Sequence, residues 1–226
     1  MRHGGRPIEQ AKSASRTKES GGLKAPEKIG PWRVATSRAV FDNPWISVVD
    51  HDVTHPDGSP GVYGVVRFKT RAIGILPIDA NGATWLVGQH RFPLDRYSWE
   101  LPEGGGLLAE DPLAAAKREL AEETGLTAHH WLPLVEADLS NSATDEVAVG
   151  FLAFGLTEGP GAPEPSEALQ VKKVLFSAVY EEVLAGRIRD SLTVMMTLSA
   201  RARALRGDFP AAICKLLAGP QIGEGE

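Results

Sequence analysis

The chain has 226 residues, 42% of them hydrophobic and 23% charged, with a formal net charge of −5 at pH 7. That length suits one core domain with a smaller appended element, and no apolar run approaches the roughly 20 residues needed to span a bilayer. A single cysteine, Cys214, excludes an internal disulfide and fits a reducing compartment, so a soluble cytoplasmic protein is expected.

Residues 1–30 carry Arg2, Arg6, Lys12, Arg16, Lys18, Lys24 and Lys28 against Glu9, Glu19 and Glu27, and lack the apolar segment of a secretory leader. This composition reads as a disordered basic tail, with nucleic-acid contact as the lesser alternative and no membrane partner expected. Residues 31–70 form the next unit. Arg33 to Phe41, Trp45 to Thr54 and Val62 to Phe68 alternate apolar and polar side chains as strands do, and Pro56-Asp57-Gly58 marks a hairpin turn. So small an antiparallel unit leaves an open sheet edge.

The core region, residues 71–206, opens with the apolar strand Ala72 to Ile78, and Asp79 to Gly82 turns it into a strand from Thr84 to Gln89. Gly104 to Gly106 reads as a tight turn. Asp111-Pro112 starts a helix, as N-cap and first-turn proline, and Gly125 stops it. Leu113, Ala116, Leu120 and Thr124 recur at helical spacing and form its packing face. His129-His130 then belongs to the loop leaving the helix. Leu132 to Ala137 and Val147 to Phe154 read as strands, and the prolines and glycines from Gly155 to Ser166 as a mobile loop. Val171 to Phe176 is the last strand. Helices follow from Ala178 to Ala185 and from Ser191 to Leu205, and residues 207–226 are a weakly patterned tail.

Within the first of these helices Glu119, Glu122 and Glu123 fall on one side, with Arg118 four residues before Glu122. Like charges within one turn repel by roughly 0.3 kcal/mol per pair. A solvated acidic face explains most such triplets. Combined with Gly104, Glu110 and the closing Gly125-Leu126, however, the spacing is one that packing alone does not require. It points to a divalent cation holding a phosphate-bearing substrate, ligated by carboxylates and by a main-chain carbonyl near Glu103. Other chemistries fit poorly. The histidines lack a metal-ligand spacing, no Gly-x-Ser-x-Gly elbow occurs, and the triple glycine is not followed by Lys-Ser/Thr.

Gly104, Glu110, Arg118, Glu119, Leu120, Glu122, Glu123, Gly125 and Leu126 match the signature of the Nudix hydrolase family, which the chain resembles from about Trp32 to Leu205. The runs Leu86 to Pro93 and Ser98 to Glu103 resemble the branch that cleaves ADP-ribose and nucleoside diphosphate sugars. The resemblance implies an α/β (α+β) fold, a mixed sheet between helices, with an N-terminal antiparallel sheet exchanged in a homodimer. It also implies Mg²⁺- or Mn²⁺-dependent cleavage of the diphosphate to a nucleoside monophosphate and a sugar phosphate.

On the same resemblance, Glu119, Glu122, Glu123 and the Glu103 carbonyl hold the metal, and Arg118 belongs with Glu122 to the catalytic group. Arg91 binds the diphosphate, Glu167 (with Glu164 nearby) is the general base, and Gly104, Glu110 and Gly125 support the loop and helix. Ser140 to Glu146 stands where the branch carries Ser-Pro-Gly and then a glutamate. Glu146 keeps the acidic substrate-binding position, but Asn141 replaces the proline. That departure leaves GDP-sugars, dinucleoside polyphosphates and coenzyme A open as substrates. A non-enzymatic nucleotide sensor on this fold would usually lose a signature glutamate, and none is lost.

Overall fold

The computed structural model describes residues 28–159 and 169–219. The expectations for residues 1–27 and for Glu164 and Glu167 lie outside the described residues. The strands are β1 (Lys28–Ile29), β2 (Trp32–Asp42), β3 (Ile46–Thr54), β4 (Pro60–Phe68), β5 (Thr70–Ile78), β6 (Ala83–Arg91), β7 (Arg96–Glu100), β8 (Glu103–Leu107), β9 (Leu126–Leu139), β10 (Glu146–Glu158) and β11 (Gln170–Leu175). The helices are α1 (Pro112–Thr124), α2 (Phe176–Leu184), α3 (Ser191–Arg206) and α4 (Ala211–Ala218).

The chain divides into two compact units, residues 1–38 with 50–63, and residues 39–49 with 64–226. The first four strands pair in chain order. In the smaller unit the expected turn forms at Gly58, whose φ of 90° suits glycine. There Trp32 packs edge-on against Tyr63 at 5.3 Å between ring centroids, and Arg38 pairs with Asp50 at 3.0 Å.

In the larger unit β8, β5, β10 and β9 form a mixed sheet in that order, with β5 and β10 parallel, and β11-β6-β7 form an antiparallel one. Strand β5 explains its own apolar run. Ile73 and Ile75 join Ala115, Ala116 and Leu120 of α1 in one core, while Leu76 and Ile78 join Phe176, Met196 and Leu217 in another. A strand covered by helices on both faces has no polar side to show. Truncating Leu120 or Met196, both fully buried, would cost about 2–5 kcal/mol.

The α1 boundaries follow from its caps. The Asp111 carboxylate accepts the Ala114 amide at 3.0 Å, and Gly125 closes the helix at φ 69°. Four expectations change. Gly104 to Gly106 form strand β8 rather than a turn, because β8 runs so close to α1 that a Cβ at Gly106 would press on Ile73 and Ala115. His129 and His130 lie in β9, which starts directly after Gly125, and His130 stacks on Phe154 at 4.9 Å. Gly155 to Glu158 belong to β10 rather than to a loop, with Leu156 to Glu158 paired to Ala128, Thr127 and Leu126. After Arg206 the chain forms α4, since Ile213 and Leu217, one turn apart, are both buried.

Candidate active site

Helix α1, strand β8 and the end of β6 enclose a cleft of about 290 Å³. Glu119, Glu122 and Glu123 form one wall, and Gln89, Arg91 and Glu103 to Gly105 the other. Arg118 ties the acids to the strand: it donates to Glu119 at 2.7 Å, to Glu122 at 2.9 Å and to the Gly105 carbonyl at 3.1 Å. Glu110 backs this arrangement, pairing with Arg118 at 3.5 Å and accepting the Leu107 amide at 3.3 Å. Glu123 accepts the Glu103 amide at 2.9 Å, which fixes the strand residue whose carbonyl was expected at the site. The structure thus gathers Glu103, Gly104, Glu110, Arg118, Glu119, Glu122 and Glu123 as the sequence spacing suggested.

Burial raises the Glu119 carboxyl above its ordinary range, against the hydrogen bonds and charge of Arg118, which pull it down. Gly104 keeps room for that group, because a Cβ there would overlap the Glu119 carboxylate. Burial opposes the Arg118 charge, but Glu119, Glu122 and Glu110 hold its pKa above the usual arginine value. An all-oxygen donor set with one compensating arginine fits a hard divalent cation.

Arg91 heads a second cluster. Its Nε donates to both Glu100 oxygens at 3.0 Å, and its Nη2 meets Glu100 and Glu103. Nη1 makes no hydrogen bond to a described residue. Glu100 is 2% exposed. Asp190, the N-cap of α3, accepts the Thr193 amide at 2.6 Å and brings a third acid, so that oxygens of Glu100, Glu103 and Asp190 lie within 4.8 Å of one another. Burial first, then repulsion from Asp190 and Glu100, pushes the Glu103 carboxyl well above its ordinary value, with Arg91 opposing. Among the described residues the buried Glu103 Oε2 atom has no hydrogen-bond partner.

One site expectation falls elsewhere. Glu146 opens β10 opposite Leu139 and does not line the cleft, and burial raises its carboxyl. Gly125, expected as support rather than as a ligand, caps α1 as expected. Glu167 lies outside the described residues. Glu100 and Asp190 went unnoticed in the sequence. The signal for Glu100 was an acid alternating into the sheet beside Trp99 and Leu101, while Asp190 carried only the mark of a helix cap.

The NUDIX domain matches residues 68–191, and the nucleoside diphosphate sugar hydrolase N-terminal domain matches residues 32–66. An ADP-ribose pyrophosphatase of Mycobacterium tuberculosis is 34% identical over 134 residues, which are 58% of this chain and 65% of that protein. The chain therefore spans just under two thirds of that relative's length. An ADP-ribose pyrophosphatase of Bacillus subtilis is 29% identical over 156 residues, 69% of this chain and 78% of the relative. A crystal structure of an ADP compounds hydrolase shares the fold, with a TM-score of 0.69 at 20% identity over 81% of this chain and 98% of the other. With its signature acids converging in one cleft and the NUDIX domain covering more than half its length, this chain belongs to the Nudix hydrolase family.

Proposed function

We propose that this Nudix hydrolase cleaves the diphosphate bond of ADP-ribose or a related nucleoside diphosphate sugar, giving a nucleoside monophosphate and a sugar phosphate, with Mg²⁺ as the divalent ion. The observation that carries this reading is the convergence of Glu119, Glu122 and Glu123 with the Glu103 backbone around one cleft, where Arg118 pairs directly with Glu119 and Glu122. The printed activities of the two relatives and the N-terminal domain match support the substrate class.

Glu119, Glu122, Glu123 and the Glu103 carbonyl would hold the ion, which supplies Lewis-acid polarisation and charge neutralisation at the phosphates. Arg118 orients Glu119 and Glu122 so that their free oxygens face the cleft. Gly104 keeps the Glu119 carboxylate in place by offering no side chain to displace it. Arg91, fixed by Glu100 and Glu103, presents Nη1 to the diphosphate as a positioned donor. Glu167 is assigned the proton of the attacking water by family resemblance, and Glu146 a substrate contact on the same basis. Residues 31–70 are proposed as the dimer-forming unit of a cytoplasmic homodimer, and residues 71–206 as the hydrolase domain.

A panel of ADP-ribose, GDP-mannose, a dinucleoside polyphosphate and coenzyme A, incubated with Mg²⁺ and read by mass spectrometry, tests the assignment. ADP-ribose should yield AMP and ribose 5-phosphate, and both should vanish with EDTA. Binding of a panel member with no cleavage of any would replace an enzyme by a sensor.

A further inference from the structure

A cavity of about 360 Å³ opens on the face of the β11-β6-β7 sheet opposite the cleft. Side chains alternate along β6, so Gln89 and Arg91 serve the cleft while Leu86 lines this cavity, with Lys172 of β11 beside Leu86 and Trp99 of β7 beside Gly88. Gly88 is what lets the aromatic wall settle there, because a Cβ would overlap Tyr97 and Trp99. The floor is apolar and closed, with Leu86 at 2%, Val179 at 1% and Ile188 at 6% exposure.

The rim is basic although the chain is acidic overall: Arg96, Lys172, Arg187 and Arg189 surround a single acid, Glu182. Two of these cations have internal employment. Arg187 donates to both Glu182 oxygens at 2.7 and 2.8 Å, and the Lys172 ammonium lies 3.7 Å over the Trp99 ring. Arg96 and Arg189 form no ion pair or side-chain hydrogen bond with a described residue. A guanidinium fork fits phosphate oxygens two at a time. Tyr97, 44% exposed and edge-on to Trp99 at 5.5 Å, adds a flat surface beside the apolar floor.

We propose that this cavity binds a small phosphomonoester carrying a planar ring, of which a nucleoside monophosphate is the simplest member. The volume lies in the lower range of small-molecule sites. The two unpaired arginines receive the phosphate, while the ring covers Leu86 and Ile188 against Tyr97. The site is built without the signature acids, so it does not rest on the reaction proposed for the cleft.

Titration calorimetry of the full chain in EDTA and low salt tests this, because without a divalent ion the acids of the cleft repel a phosphate. AMP should bind about tenfold tighter than adenosine or inorganic phosphate, since each supplies only half of the contacts. Arg96→Gln combined with Arg189→Gln should weaken AMP about tenfold through loss of charged hydrogen bonds, while Glu119→Gln should leave its Kd unchanged. If the double variant fails to fold, Arg189→Gln alone, on an exposed loop residue, should weaken AMP about threefold. The proposal is overturned by no AMP binding, by equal binding of AMP and phosphate, by equal affinity in the arginine variants, or by a Kd that moves with Glu119→Gln.

Discussion

Arg91, in the wall of the candidate cleft, and Arg118, paired with two of the cleft's acids, are each outnumbered by carboxylates, yet the two clusters are built differently. Arg91 holds Glu100, which is 2% exposed, through hydrogen bonds from Nε and Nη2. Arg118 holds Glu122, whose side chain is 44% exposed, and Glu119 at the cleft wall. A buried acid cannot exchange its arginine for water, so the Arg91 cluster locks β6 to β7. The part-exposed Glu122 can turn its free oxygen to another cation, so the Arg118 cluster suits a site that fills and empties. One cluster is a clamp and the other a socket.

The strongest test of the socket is removal of its charge. Glu119→Gln or Glu123→Gln should lower kcat/KM for ADP-ribose with Mg²⁺ by about 10³-fold or more, because charge neutralisation at the phosphates is worth several kcal/mol. Near-native turnover in both variants would end the assignment. The same Glu119→Gln change should not destabilise the metal-free protein at neutral pH. Burial raises the Glu119 pKa, so the fold disfavours the ionised form, and the neutral amide relieves that penalty. Added Mg²⁺ should therefore raise the Tm of the parent protein more than that of the variant.

The clamp predicts the opposite pattern. Glu100→Ala should destabilise by about 3 kcal/mol in urea unfolding, since it strands a half-buried guanidinium and opens a void. Glu122→Ala should fall within about 0.5 kcal/mol of the parent, as exposed pairs contribute little. Equal costs at the two positions would erase the distinction between the clusters.

The socket was legible in the sequence and the clamp was not, for a physical reason. Glu119, Glu122 and Glu123 share a helix face whose period is visible in any run of residues, and Asp111 and Gly125 announce both ends of that helix. The clamp joins Arg91, Glu100, Glu103 and Asp190 from β6, β7, β8 and the start of α3, and only the folded sheet brings them together. Arg91 was flagged as a diphosphate ligand with no sign that two acids already engage it. Local pattern also misled at Gly104 to Gly106, where glycine meant close strand–helix approach rather than a turn. Helix α4 was missed because its apolar face is short and its partners lie in α3 and the β5 core.

Gly104 divides socket geometry from fold stability. A Cβ there would overlap the carboxylate end of the Glu119 side chain rather than backbone, so in Gly104→Ala that side chain should swing away while the backbone stays. The expected result is a loss of about 10–100-fold in kcat/KM, on the scale of a misplaced catalytic group, with a near-parental urea midpoint. Gly106→Ala is the counterpart. Its Cβ would press on Ile73 and Ala115, so stability should fall by about 1–3 kcal/mol from overpacking.

A pH-dependent effect comes from Asp79, an acid of the larger unit that pairs with Lys173. Burial opposes its ionisation, but Lys173 at 2.7 Å and the amides of Ala83 and Asn81, both at 2.8 Å, hold its pKa below the ordinary value. A lowered folded pKa means stability that is complete above the unfolded value, near 3.9, and lost as pH falls through the folded one. Asp79→Asn should therefore cost about 1 kcal/mol at pH 7, the scale of a charged hydrogen bond, and progressively less in acid. Glu119, raised by burial, must run the other way: its penalty is absent below its unfolded value and grows as pH rises through its folded pKa. Urea unfolding of the parent protein, Asp79→Asn and Glu119→Gln from pH 3.5 to 8 in EDTA should give stability differences of opposite sign that converge toward the acid end. Parallel curves would mean that crowded and singly paired acids are solvated alike, and the electrostatic reading of the cleft would go with them.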